Sequence, residues 1–421
     1  MASSTTSPAE TPPRVFIIHD HAAWIEPLQK ELSSRGIPFE SWDLSKSFSW
    51  NFGKSPPNGV FLNRVSPSSH ERGCPHSMDQ AATLVRMLET HGRKVLNGTQ
   101  ALAMDMSKSA ADTSLQQSGV EAPTSVAVFG KSAEAVREAL RAFPPSSRFV
   151  VKPNRGGSGV GVRILRSAEA VQAYFASDDF YPSVDGVSIV QEYVPSAESC
   201  LYRLEFVDAR FVYAVRVDTS DAIEGKAVNN CPADSCDLSR RRAAQKRAAE
   251  SAVAEAIIGV PVGTACPLKA TTKKFQIVPF DQPALIERLE RFMRANGVAV
   301  GAVEVIQGPD GVFRVIDVNS TNTNYNMRSE RRAKRRRLLS RPGGWETVAS
   351  LLDSELKAQY PAASAASSAG EGVGASMAAG ASNPEVSAAA GSPSARPGPT
   401  SPREPSPIHV PTTATAIAAL A

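Results

Sequence analysis

Two carboxylates and an amide on one short hairpin are the residues of this 421-residue chain best placed to do chemistry. Val298–Ile306 and Val312–Val318 read as antiparallel strands joined at Gly308-Pro309-Asp310-Gly311. With Pro309-Asp310 at the turn centre, Glu304 is expected opposite Val315. Side chains alternate along a strand, so Glu304, Asp317 and Asn319 should share one face. Oxygen donors converging in this way suit a hard cation, magnesium or manganese. The bland alternative is a solvated polar face, yet the flanking valines, isoleucines and alanines predict a buried sheet. Carboxylates in such a sheet need a partner.

A second constellation lies in Phe149–Val162, FVVKPNRGGSGVGV. Lys152 closes an apolar strand, and Gly156, Gly157, Ser158, Gly159 and Gly161 follow within a loop, Asn154–Gly161. Glycines let backbone N–H groups crowd round phosphate oxygens, and a lysine supplies a point charge for them. No Gly-Lys-Ser/Thr follows, so this is not a Walker loop, and Val162 breaks the G-x-G-x-x-G pattern. Taken alone the segment reads equally as a flexible loop. Beside an acidic hairpin it reads as a nucleotide-phosphate clamp facing a cation site.

The elements that must carry these residues follow from periodicity. Arg14–Ile18 is a short apolar strand. Ala22–Arg35 is a helix with Trp24, Ile25, Leu28 and Leu32 on one stripe; Ile37–Trp42 and Gly59–Leu62 are strands, and Asp79–Thr90 is a helix. This predicts an α/β domain over 14–100. A helix Ala101–Ser118, a strand Thr124–Phe129, a helix Ala133–Ala142, a strand ending in Lys152 and a strand Ser188–Gln191 come next. Leu201–Val207 and Arg210–Val217 should form a hairpin around Asp208-Ala209, and helices are expected at Leu238–Ile258 and Gln282–Ala295. No solenoid or propeller repeat is present.

Composition bounds the rest. Apolar residues make up 42% and charged residues 21%, which excludes global disorder. No run approaches the 18–20 or so apolar residues of a membrane span. Residues 1–13 are Ser/Thr/Pro-rich, without the pattern of a secretory signal, and are expected to be disordered. Five cysteines point to a reducing compartment; Cys231 and Cys236 lack the second ligand pair that zinc requires. The net charge of +4 hides one cluster, Arg328–Arg337, with seven Lys/Arg and one Glu. It reads as a solvated helix face or as a nuclear-import or nucleic-acid patch, and nucleic acid is not the expected partner. A cytoplasmic protein is expected, or a nuclear one if that cluster acts as an import signal. Pro361–Ala421 has 43 Ala, Ser, Pro or Gly among 61 residues and is expected to be disordered.

In order along the chain, Lys108, Lys152 and its glycine loop, Gln191-Glu192-Tyr193-Val194, Arg203, Arg216, Asn230, Glu304 and Asp317-x-Asn319 resemble the ATP-grasp superfamily, specifically its RimK-like and glutathione-synthetase-like carboxylate–amine ligases. The resemblance spans about Arg14–Met327. It implies a mixed α/β and α+β architecture, with an ATP-grasp domain over 101–327 and a basic segment and C-terminal helix over 328–360. By that resemblance ATP lies between two α+β lobes, its α- and β-phosphates held by Lys108 and Lys152, with the glycine loop over the triphosphate. Glu192–Val194 would contact adenine through backbone groups, with Gln191 beside them, and Glu198 would reach the ribose. Arg203 and Arg216 would hold a substrate carboxylate and the acyl phosphate, and Asn230 would stand near the γ-phosphate. Glu304, Asp317 and Asn319 would be the magnesium ligands.

The implied activity joins a small-molecule or peptide carboxylate to an amine or thiol acceptor, releasing ADP and phosphate. The rival reading is a non-catalytic ATP-binding scaffold like the synapsins; no membrane partner is implied, and an oligomer remains open. A protein kinase is disfavoured, because no His-Arg-Asp or Asp-Phe-Gly segment is present. Three departures lie on the substrate side: Leu201 replaces the usual Asp, Cys231-Pro232-Ala233 replaces a Gly-Gly stretch, and Asn319-Ser320-Thr321-Asn322 replaces Asn-x-x-Pro. His19 and His21 after the first strand, and Asn63–Ser69 after the strand Gly59–Leu62, read either as substrate contacts or as ordinary loop residues. Removing residues 361–421 should leave both the melting temperature and ATP binding unchanged; a loss of several degrees would show that the tail docks on the folded part.

Overall fold

The computed structural model describes residues 12–51, 53–219, 275–321, 325, 330, 333–334 and 342–361. The expected helix Leu238–Ile258, Asn230, Cys231, Cys236, the tail from residue 362 and most of the basic cluster lie outside these residues.

Three sheets organise the described chain. The first is parallel, in the order β2-β1-β3-β4, from β1 (Arg14–His19), β2 (Phe39–Asp43), β3 (Gly59–Asn63) and β4 (Lys94–Leu96). A parallel sheet is covered on both faces, which is why VFII and GVFLN read as continuous apolar runs. Val15 and Ile17 pack with Ile25, Leu28 and Leu32 of α1 (Ala22–Ser34), and with Val348 and Leu352 of a C-terminal helix, Gly344–Gln359. Phe16 and Ile18 turn the other way, onto Met78, Leu84 and Leu88 of α2 (Ser77–Thr90).

The region expected as one helix, Ala101–Ser118, is two: α3 (Thr99–Met106) and α4 (Lys108–Gln117). Ser107 takes an extended conformation between them, and its hydroxyl accepts from the N–H of Ala110. A serine cap therefore overrides the apolar periodicity.

The second sheet is antiparallel, β5-β8-β6-β7, from β5 (Ser125–Phe129), β6 (Phe149–Pro153), β7 (Arg163–Leu165) and β8 (Val187–Glu192). Helices α5 (Ala133–Leu140) and α6 (Ala168–Ala176) cover it around Phe149, Val171 and Phe175. The third, also antiparallel, runs β11-β10-β9-β12-β13, from β9 (Cys200–Val207), β10 (Arg210–Asp218), β11 (Phe275–Val278), β12 (Val300–Gln307) and β13 (Phe313–Asn319). One of its faces packs on α3, α4 and α7 (Pro283–Ala295), through Leu204, Phe206, Leu289, Phe292 and Val303. The other joins the core under the C-terminal helix, α8 (Gly344–Gln359). Strands β4, β7 and β11 and helix α6 are additions to the sequence reading; the three strands have only three or four residues each, too few for periodicity to show.

The end of β1 and the segments after β1 and β3 make contacts within the described chain. His19 is 2% exposed, with neither ring nitrogen hydrogen-bonded, and His21 stacks on Trp24. Arg64 donates to the Thr321 carbonyl and lies over the Trp345 ring, and burial lowers its pKa to about 10.

Burial also holds the His19 pKa below its ordinary 6.5. The unfolded chain then takes up the proton first, so stability present above pH 6.5 is lost as pH falls below it. A His19→Leu variant should show a shallower decline of the unfolding midpoint between about pH 7 and 5. Equal slopes would show that His19 carries none of the decline.

Candidate active site

The hairpin β12–β13 sets the chemistry, and its register departs from the sequence expectation. Glu304 lies opposite Asp317, not Val315, because an irregularity after Val305↔Val315 adds one residue on β13. Such a bulge turns two successive side chains to one side. Val315 stays in the apolar core with Val303 and Val305, while Ile316 and Asp317 both line a cavity of about 360 Å³. The expected sharing of a face by Glu304 and Asp317 therefore holds, through a different pairing. Asn319, opposite Ala302, is next on that face. It does not line the cavity, and its Nδ2 is buried without a hydrogen-bond partner.

The same cavity gathers Lys108, Lys152, Gly156, Gly157, Ser158, Gly159 and the hinge residues Gln191–Val194. Lys108, the first residue of α4, donates from Nζ to Asp317 Oδ1 at 2.8 Å. Its backbone N–H donates to the carbonyl of Asn154, whose Oδ1 accepts from the N–H of Ser109. The base of the glycine loop and the start of α4 are thus one hydrogen-bonded unit. Lys152 Nζ donates to Gln191 Oε1 at 3.2 Å and to the Ile316 carbonyl at 3.0 Å. Gln191 Nε2 in turn donates to Ser125 Oγ at 2.8 Å. At the hinge the N–H groups of Glu192 and Tyr193 are bonded to the carbonyls of Thr124 and Arg148.

The glycine loop lies against the parallel-sheet region. Gly161 has φ of +73°, and a Cβ there would stand 2.4 Å from the Tyr181 ring, so no other residue fits. The Tyr181 hydroxyl donates to Glu71, and Arg155 Nη1 reaches Asp79 Oδ1 at 3.3 Å.

Charge compensation shapes the site's titration. Burial alone would lower the Lys108 pKa, but the Asp317 carboxylate outweighs it and holds the amine above its usual range. Lys152, more desolvated than compensated, is pushed down. Burial raises Glu304, with the like charge of Asp317 adding to it, whereas Lys108 and Lys152 keep Asp317 low in spite of its burial. Two facing carboxylates thus divide into a higher and a lower one.

Arg203 lies opposite Glu304 on β9 and donates from Nη1 to its Oε1 at 2.9 Å. Arg216 is not brought there. Its ladder partner is Tyr202, whereas that of Arg203 is Val215, so alternation places Arg216 on the reverse face, and its Nη2 donates to the Glu198 carbonyl. Glu198 does not line the cavity; its carboxylate accepts from Tyr202.

Three carboxylates went unread in the sequence. Asp105 of α3 accepts from the N–H groups of Ser320 and Thr321 and from both their hydroxyls, tying down the chain as it leaves β13. Asp112, one turn after Lys108 on α4, has a buried Oδ2 without a hydrogen-bond partner, and Lys152 is the strongest charge acting on it. Glu205 is the other partner of Arg203. The last two had a signal: helical i,i+4 spacing from Lys108 and strand i,i+2 spacing from Arg203.

The donor set suits a divalent cation. Glu304 and Asp317 are directly opposed, and Asn319, next on the same face, carries an amide oxygen of the kind such a cation takes. Among the described residues no group of three His, Cys, Asp or Glu is placed to hold a metal ion. A cation held by two carboxylates and an amide would keep positions for phosphate oxygens. No described helix is long and apolar enough to cross a membrane.

No family model and no curated protein matches this chain. Solved structures do. It is similar to D-cycloserine synthetase DcsG at 16% identity and a TM-score of 0.52, covering 82% of this chain and 100% of that one. It is similar also to the ATP-grasp ligase PsnB complexed with a phosphomimetic variant of minimal precursor, Mg and ADP. There the identity is 13%, the TM-score 0.51, and the coverage 84% of this chain and 100% of that one. Sharing that architecture over more than four-fifths of its length, the chain has the ATP-grasp fold.

Proposed function

We propose that this protein is an ATP- and magnesium-dependent ligase that joins a carboxylate to an amine or thiol through an acyl phosphate. The observation that carries the reading is the convergence, in one cavity, of Lys108, Lys152, the glycine loop and the opposed Glu304–Asp317 pair. The similarity to a synthetase and a ligase supports it.

Transfer of a γ-phosphoryl group needs positioning and charge neutralisation more than a protein nucleophile. Lys108 and Lys152 supply two cations on the nucleotide side. Gly156–Gly159 supply backbone N–H groups for phosphate oxygens, and Val194, after the bonded Glu192 and Tyr193, is left to face the base. Glu304, Asp317 and Asn319 would hold magnesium, which when bound withdraws charge from the phosphate being transferred. Arg203 is the arginine on the correct face to hold the acid; Arg216 is not. Attack of the acid oxygen on the γ-phosphate gives acyl phosphate and ADP, and attack of the amine or thiol on the acyl carbon expels phosphate. Asn230 near the γ-phosphate and Glu198 at the ribose are proposed on the family resemblance alone.

Asp317→Asn keeps shape and removes a charge facing the cation. A loss of several kcal/mol of transition-state stabilisation, about a hundredfold or more in rate, is expected. Metal-free ATP should bind as well as before or more tightly, since Lys108 loses its competing partner. A screen of amino acids and peptides for release of ADP and phosphate supplies the assay. Formation of AMP and pyrophosphate would exclude the acyl-phosphate route. Binding of ATP without release of ADP with any acid and amine would favour the scaffold.

A further inference from the structure

Arg203 stands between two glutamates. Its Nε donates to Glu205 Oε1 at 2.8 Å, and its Nη1 donates to Glu304 Oε1 at 2.9 Å. Glu205 is 2% exposed and lies two residues beyond Arg203 on β9, hence on the same face, opposite Ala302. Its chain neighbours Leu204 and Phe206 are both fully buried in the core. A carboxylate in the middle of such a strand is costly unless it grips a cation.

One guanidinium serves both carboxylates through separate N–H groups, so the charge that Glu205 engages is drawn away from Glu304. A guanidinium and a divalent cation compete for the same carboxylate oxygens. How firmly Arg203 is held by Glu205 therefore sets how much of Glu304 remains open to a cation. We propose that Glu205 is a positioning residue: by gripping the Nε edge of Arg203 it limits the hold of Arg203 on Glu304 and keeps that carboxylate available as a metal ligand. The proposal rests on the ligase reading only in taking Glu304 as a cation ligand. Release of Nη1 from Glu304, with Nε still anchored, would leave it directed for an anionic acid.

The test titrates Mn²⁺ into the full-length protein with ADP present and reads free Mn²⁺ by electron paramagnetic resonance. Glu205→Gln should weaken Mn²⁺ binding about tenfold, because an uncharged amide lets the guanidinium settle on Glu304. Arg203→Met should tighten it by a similar factor. In the double variant, binding should match Arg203→Met alone, since Glu205 acts only through Arg203. A Glu205→Gln effect of the same size with Arg203 absent would show a plain through-space charge effect and overturn the proposal, as would unchanged binding in a variant with native melting temperature. Should Glu205→Gln fail to fold, Glu205→Asp keeps the charge and shortens the grip; weakened binding supports the proposal and unchanged binding overturns it. Wild-type protein that takes up no Mn²⁺ with ADP would overturn the ligase site itself, a separate failure.

Discussion

Two carboxylates set directly opposite each other on neighbouring strands repel, and burial makes the repulsion worse. Glu304 and Asp317 are so placed, and the arrangement of the described chain around them is one of compensation. Lys108 reaches Asp317 from the start of α4, Arg203 reaches Glu304 from the next strand of the same sheet, and Lys152 approaches from the second sheet. The cations that stabilise the pair without ligands are the groups a polyphosphate and an acid would recruit. On the proposed reading, nucleotide and metal would exchange this bonded state for another rather than build the site afresh.

That exchange requires the three sheets to keep their relation, and buried polar joints do this. Asn97 accepts from the N–H groups of Ala299 and Val300 and donates to the Val300 carbonyl, fastening the entry to β12. Asp105 fastens the exit from β13 through Ser320 and Thr321, and Arg64 reaches the Thr321 carbonyl from the parallel-sheet region. The side chains of Asn97 and Asp105 are committed to hydrogen bonds at both polar atoms, which offsets the cost of burying them. Helix α8 closes the apolar side of the same junction, with Trp345, Val348 and Leu352 packed on residues of two sheets.

The bulge in β13 shows how a small backbone irregularity decides a site. In strict alternation Val315 and Asp317 would share a face, and one of the two would be misplaced. One extra residue sends Val315 to the core and Asp317 to the cavity. The sequence contains no mark of this: Ile316 is as good a strand residue as its neighbours, and the irregularity follows from competition between core packing and carboxylate placement. The break between α3 and α4 is different in kind. Ser107 announces a cap, and Lys108 gains its position by following it; the apolar stripe running across the break concealed the signal.

The sequence by itself determined an α/β region, through the continuous apolar runs of a covered parallel sheet, and two antiparallel hairpins, because these patterns are local; the ATP-grasp fold entered through the resemblance carried by the order of its motifs. It also determined which residue types were candidates: Lys108, Lys152, the hinge, Glu304 and Asp317 share one cavity, as their order along the chain implied. Only the tertiary structure decided which arginine lies beside Glu304. Arg203 and Arg216 look equivalent in sequence, but the register of β9 on β10 pairs Arg203 with Val215, so the two guanidiniums leave opposite faces of one sheet. The same holds for Glu205, a strand residue of unremarkable type until the ladder sets Arg203 between it and Glu304. Register is a non-local quantity, fixed by how whole strands bury their apolar faces, and a shift of one residue reverses every side chain.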